Sequence, residues 1–170
     1  MSRLDGKRGR FNVNYETNEI NSGLKSWGFS NVGDTVDWYR FRADLSEVHD
    51  VYDEGTGVGR VYDGPISIPV LHATHSEGAN EDTDIGFYFT DDLHVTASYA
   101  VMRAAGFIDL DQNTYKYLKD RFVYDGKVFR VLHIQVLGQI QQRDIIVGID
   151  ASHVKPDEMV NDQQFARWNT

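Results

Sequence analysis

The sequence predicts a mainly β fold: a small barrel or sandwich with one or two short helices and long loops. Three observations carry that prediction. Residues 121–150 read as three consecutive strands, with Asp125-Gly126 set between two apolar alternations, the strongest short-range signal for a tight hairpin. Further runs rich in β-branched and aromatic residues, such as 36–42 (VDWYRFR) and 65–74 (PISIPVLHAT), are bounded by Gly, Asn and Asp clusters. Counted along the chain, such runs give six to eight short strands against one or two short helices.

Residues 1–35 are rich in Gly, Asn and Ser and hold no sustained period. They read as an extended arm, yet Phe11, Tyr15, Trp27 and Phe29 are more aromatic than a disordered tail carries. An arm packed on a partner or on the domain is expected. Residues 36–42 alternate and form the first strand. In 44–54, Leu45, Val48, Val51 and Tyr52 share one side at helical spacing and predict a short acidic helix. Gly55, Gly57 and Gly59 make a loop, with neither the spacing nor the following helix of a dinucleotide fingerprint. Residues 61–62 and 65–74 are strand, and Pro69 places the latter at an edge or a bulge. The acidic stretch 76–84 reads as a loop and 85–89 as a short strand. Asp91-Asp92 reads as a turn into a strand at 93–96. Ser98 caps a helix running to Ala105, with Gly106 as its stop.

The hairpin sets Tyr124 opposite Lys127, Val123 opposite Val128 and Phe122 opposite Phe129. Gly126 supplies the positive φ that a type I′ turn needs. The period of two puts Val123, Val128, Leu132, Ile134 and Val136 on one face, and Phe122, Tyr124, Phe129, Val131 and Leu137 on the other. Both faces are apolar, so cover is expected on both, from the fold itself or from a neighbouring subunit. A polar bend at 139–143 leads to a third strand at 144–149. A short strand follows at 153–154. Phe165 and Trp168 punctuate a polar tail. The domain reading is an arm at 1–35, a β-rich domain at 36–155 and a tail at 156–170.

With 170 residues, one domain with a substantial core is expected. No apolar run approaches a membrane span, and the start lacks the hydrophobic segment of a secretory signal. Cysteine is absent, which excludes disulfides, thiolate zinc sites and cysteine catalysis. A net charge of −9 makes a poor general binder of nucleic acid. The charge is uneven. Residues 1–10 carry Arg3, Lys7, Arg8 and Arg10 against Asp5 alone, whereas Arg60 is the sole Lys or Arg between 43 and 93 among a dozen acids. That acidic stretch reads as a solvated surface, or as a negative face that repels DNA or meets a basic partner.

Catalytic and metal constellations are sparse. His72 and His75, three apart on a strand, face opposite ways and do not converge with Glu77 on a metal. No Gly-x-Ser-x-Gly elbow occurs. One stretch, Gly86-Phe-Tyr-Phe-Thr-Asp-Asp92 followed by Ala97-Ser-Tyr-Ala100, resembles the central part of the ADP-ribosyltransferase fold. That resemblance implies an NAD site with His72 at the ribose and Glu158 facing the ribosyl cation.

A broader resemblance covers most of 36–165. Residues 117–131 (YLKDRFVYDGKVFRV), 144–150 (DIIVGID), 154–158 (VKPDE) and a closing Asp162-x-x-Phe165 resemble the head-to-tail connector proteins of long-tailed double-stranded DNA bacteriophages. The stopper type is the most similar class. In the front half, VDWYRF from Val36, DVYDE from Asp50 and PISIPV from Pro65 are similar to proteins from phages of actinobacteria. The resemblance implies a structural virion protein of the neck, without a reaction, cofactor or metal. It would form a ring with copies of itself, between portal or adaptor proteins on the head side and tail terminator or tail tube proteins on the tail side. DNA would pass without sequence-specific binding, and no membrane is involved. Adaptor and tail-completion roles in the same connector are the alternatives. Expected interface residues are Arg8, Arg10, Phe11, Phe122, Phe129, Phe165 and Trp168; expected channel-facing acids are Glu77, Glu81, Asp82 and Asp84.

Overall fold

The computed structural model describes residues 13–49, 56–57, 59–83, 86–108, 110, 113–140, 142–160 and 162–168. Its centre is a closed antiparallel barrel of six strands in the order β1-β2-β3-β6-β5-β4. These are β1 Thr35–Phe41, β2 Tyr62–Thr83, β3 Gly86–Ser98, β4 Arg121–Tyr124, β5 Lys127–Ile140 and β6 Arg143–His153. Closure comes from pairing β1 with β4, Trp38 opposite Phe122.

The 124–127 hairpin forms as its sequence dictates. Tyr124 pairs with Lys127, Val123 with Val128 and Phe122 with Phe129. Asp125 and Gly126 both hold positive φ, 47° and 75°, as a type I′ turn requires. Phe122, Phe129 and Val131 point into the main core, joined by Trp38, Ile68, Val70, Leu93, Val95 and Ile149. Strict alternation then breaks. The register shifts between Val131 and His133, and a bulge puts one extra residue on its strand. Ile134 therefore shares the core with Phe129, whereas Leu132 is exposed. That corrects the face assignment made from period alone.

Val123 and Val128 face outward into a second cluster with Tyr39, Tyr62, Val154, Met159 and Phe165. This cluster supplies the outer cover that both apolar faces demanded. Residues 156–160 and 162–168 are not a loose tail. They form 3₁₀ turns at Pro156–Met159 and Gln163–Trp168, and Phe165 is fully buried against Tyr39 and Tyr62, ring centroids 5.1 and 5.2 Å away.

Helix α2 (Tyr99–Ala104) follows β3, with Gly106 at φ 92° just past its end; Ser98 holds the N-cap position, but its side chain makes no capping hydrogen bond. Tyr99, Met102, Phe107, Leu110 and Tyr117 extend the main core from this region. The barrel interior is thus packed with side chains, as expected for so few strands.

Four further expectations fail. Residues 13–32, read as irregular, are helical: α1 spans Val13–Ser26 and runs into a π-helical stretch, Trp27–Val32. The acidic helix at 44–54 is absent from its described part, where 43–45 form a turn. Arg42 holds that turn by donating to Asp44 and to Asp63; residues 50–55 lie outside the described residues. The loop at 76–84 is strand as far as Thr83, and Asp91-Asp92 continue β3 instead of turning. Pro69 sits at the end of the β1–β2 ladder, just before the register shift between Val70 and His72.

Two glycines separate a rigid constraint from a soft one. At Gly64, φ is 147° and an added Cβ would lie 2.6 Å from the Trp38 carbonyl oxygen. Gly64→Ala should cost about 2–4 kcal/mol, because neither backbone can yield. At Gly148 the added Cβ would meet the Leu137 Cδ1 at 2.6 Å, but Leu137 is half exposed and can swing away. Gly148→Ala should cost under about 1 kcal/mol. Paired urea titrations check the contrast.

Candidate functional site

Beyond the barrel, β2 and β3 continue as a two-stranded ribbon. Pairing of β2 with β1 ends at Thr35↔Pro69, and pairing of β3 with β6 begins at Asp92↔Ser152. Past those limits the β2–β3 ladder runs on, and from Ala79↔Thr90 to Thr83↔Gly86 each strand pairs only with the other among the described residues. The ribbon carries the acidic candidates. Glu77 accepts a hydrogen bond from Lys127 Nζ at 3.1 Å and lies 3.4 Å from His75 Nδ1. Asp91 accepts from the Gly78 backbone N–H at 2.9 Å. That bond, with Lys127 nearby, holds the Asp91 carboxyl below its ordinary range. Glu81 and Asp82 pair with Tyr88 and Phe87 across the ribbon. Asp84 lies outside the described residues. Lys127, raised in pKa chiefly by its bond to Glu77, fastens the ribbon's base to the β4–β5 turn.

The expected interface residues divide. Arg8, Arg10 and Phe11 lie outside the described residues. Phe122, Phe129 and Phe165 are 0 % exposed within the single chain, so no neighbour is needed to cover them. Those three assignments are corrected, because an apolar strand demands cover but does not say from where. Trp168 is half buried, with the Arg167 guanidinium over its ring at 3.7 Å.

Other apolar side chains are exposed, among them Tyr115, Val160 and Ile108 singly and a group near the N-terminus. Ile20, Trp27, Phe29 and Val32 are 36–55 % exposed on the N-terminal helical segment, which meets the barrel with Thr17 and Gly28, its two buried residues. Trp27 and Phe29 are two of the aromatics that stand out in this polar stretch. What the sequence hid was that the helix turns its small and polar side inward.

A cleft of about 70 Å³ opens beside the second core, lined by Phe41, Arg60, Tyr62, Leu118, Lys119, Arg121 and Arg130. Its cations are engaged. Arg121 donates to Asp162 and Arg60 lies 3.5 Å from the same carboxylate. Arg130 approaches Glu158 at 3.7 Å. Burial pushes the Tyr62 hydroxyl well above its ordinary pKa.

Three neighbouring strands also bring together a triplet invisible without register. His94 and His133 each pair across strands with Asp150. Asp150 Oδ1 is 2.6 Å from His94 Nδ1, and Oδ2 is 3.6 Å from His133 Nδ1. The positions are scattered in sequence, and only the bulge between Val131 and His133 aligns them.

The residues proposed for NAD chemistry do not form a site by any contact seen here. His72 is exposed, its Nδ1 3.3 Å from Thr74 Oγ1, and Glu158 faces Arg130. Among the described residues no group of three or more His, Asp or Glu is placed to hold a metal ion, and no helix is long and apolar enough to cross a membrane.

One buried carboxylate is tied to the fold. Asp120 accepts from Trp38 Nε1 and from the Phe41 backbone N–H, both at 2.8 Å. Burial raises its pKa to about 6, so the folded state binds a proton more tightly than the unfolded chain. The stability linked to that proton is fully present below about pH 4 and lost as pH rises through about 6, a change of about 3 kcal/mol. Asp120→Asn should remove this component. The difference between wild-type and variant urea midpoints should change between pH 4 and pH 7, and a constant difference would refute the assignment.

No protein-family model matches the chain, and no curated protein matches it. Among solved structures, the chain is similar to one in "Virion of native gene transfer agent (GTA) particle", with a TM-score of 0.41 and 12 % identity over 71 % of this chain and 93 % of that one.

Proposed function

We propose that the protein is a structural subunit of a phage head–tail connector, a stopper-like component of the neck that closes the DNA channel after packaging and offers the tail a docking surface. The observation that carries this reading is the sequence resemblance across residues 117–165, whose segments fall on the β4–β5–β6 side of the barrel and on the turns that cover it. The architecture is compatible. The barrel is filled, so any conduit for DNA lies between copies and not through one. The ribbon runs past the barrel and the helical segment packs on it with apolar side chains left exposed, and both serve as elements for contacting other subunits. In this reading copies form a ring between portal or adaptor proteins and tail terminator or tube proteins. Glu77, Glu81, Asp82 and Asp84 face passing DNA and repel its phosphates. Arg8, Arg10 and Phe11 reach an adjacent subunit, and Trp168 lies at a contact.

The test is a particle map together with co-assembly of the purified chain on a portal complex. Density for this barrel between capsid and tail is the expected result. A chain missing from particles, or one that does not bind the portal complex, would sink the proposal.

A further inference from the structure

Among the described residues the ribbon has no third strand. Two strands pairing only with each other are marginal in water, and from Ala79 to Thr83 and from Gly86 to Asp91 each has one edge without a ladder partner among the described residues. An open edge is a template for a further strand. Charge states what kind of strand fits. Between 76 and 92 the chain has six acids and no Lys or Arg. Residues 1–12 hold Arg3, Lys7, Arg8 and Arg10 against Asp5 alone and end where α1 begins at Val13. Extended, twelve residues span about 40 Å, more than enough to run along either ribbon edge.

The partner follows from the charge of the whole. Copies at −9 repel one another, so packing them side by side needs a cationic element, and residues 1–10 are where the chain concentrates one. We propose that residues 2–12 of one copy add as a strand to the ribbon edge of a second copy, with their bases set against its acids. The choice of a second copy rests on the neck reading; the pairing itself rests on ribbon geometry and charge. Four bases against six acids leave the seated ribbon negative, so it can still face DNA. Contacts of this kind are head-to-tail, with arm and ribbon on different copies, and propagate to a ring if the rotation closes.

The experiment uses the full chain, with sedimentation velocity and hydrogen exchange measured over a range of protein concentrations in low and in molar salt. Wild type should self-associate in low salt, and exchange at 76–92 should slow as concentration rises. Arg8→Glu with Arg10→Glu should weaken association about tenfold or more, as should Glu81→Lys with Asp82→Lys. Mixing those two variants, or combining all four changes in one chain, should restore it. Thermal melts on each variant confirm that the barrel is intact. Ribbon protection independent of concentration would mean that the chain's own arm fills the edge, and would overturn the proposal. Association untouched by either reversal would overturn it too. Because no portal complex takes part, a negative result here is separable from failure of the neck reading.

Discussion

Asp162→Ala should destabilise the protein by about 3–5 kcal/mol, the cost of leaving a buried charge unpaired. Asp162 is 1 % exposed and Arg121 3 %. The Arg121 guanidinium lies 5.3 Å from both the Tyr62 and Phe165 ring centroids, and its Nη1 donates to Asp162. The same carboxylate accepts from the Arg60 backbone N–H at 3.2 Å. Removing it leaves a cation between two rings with no anion. The double variant Arg121→Met, Asp162→Leu should lose far less, because apolar residues can replace a buried pair at little cost. Denaturant titrations of the two variants decide the matter. A loss under about 1 kcal/mol for Asp162→Ala would show the pair behaving as a surface one.

Trp38→Ala should cost as much or more, about 5 kcal/mol. Trp38 is fully buried, edge-to-face with Phe107 at a centroid distance of 5.1 Å and stacked on Phe122 at 5.4 Å. Its removal opens a cavity at the centre of the core and takes from Asp120 one of its two donors. Trp38→Phe keeps most of the volume and loses only the hydrogen bond, so it should cost about 2 kcal/mol. Equal losses in the two variants would mean that the Asp120 bond, and not the packing, dominates.

What was legible in the sequence followed local rules. Asp125-Gly126 allows few backbone solutions, so the central hairpin and its register could be read directly. The mainly β class followed from the same short-range chemistry. What was hidden depended on partners distant in the chain. The register shift after Val131 is imposed by β6, and no alternation rule contains it. Residues 76–84 carry acids where a half-buried strand would carry alternating apolar groups, and from Ala79 to Thr83 the strand pairs only with β3 among the described residues. The helical spacing of Leu45, Val48, Val51 and Tyr52 points to a helix, but Arg42 clamps Asp44 and Asp63 and fixes a turn at 43–45. Residues 13–26 went unrecognised as a helix because their inward side is Thr17 and not an apolar stripe. The candidate surfaces divided similarly. Acidic positions could be named from composition, whereas telling a core Phe from an interface Phe required knowing what lay above it.

The fastening of the C-terminal turns has a consequence for shortened forms of the chain. Gln164 accepts from the Tyr62 N–H and donates to the Tyr62 carbonyl, both at 2.8 Å, across 102 residues of chain. A chain that lacks those turns leaves the outer faces of β1 and β4 bare, so truncation before Asp162 should yield aggregates in place of a shortened soluble product.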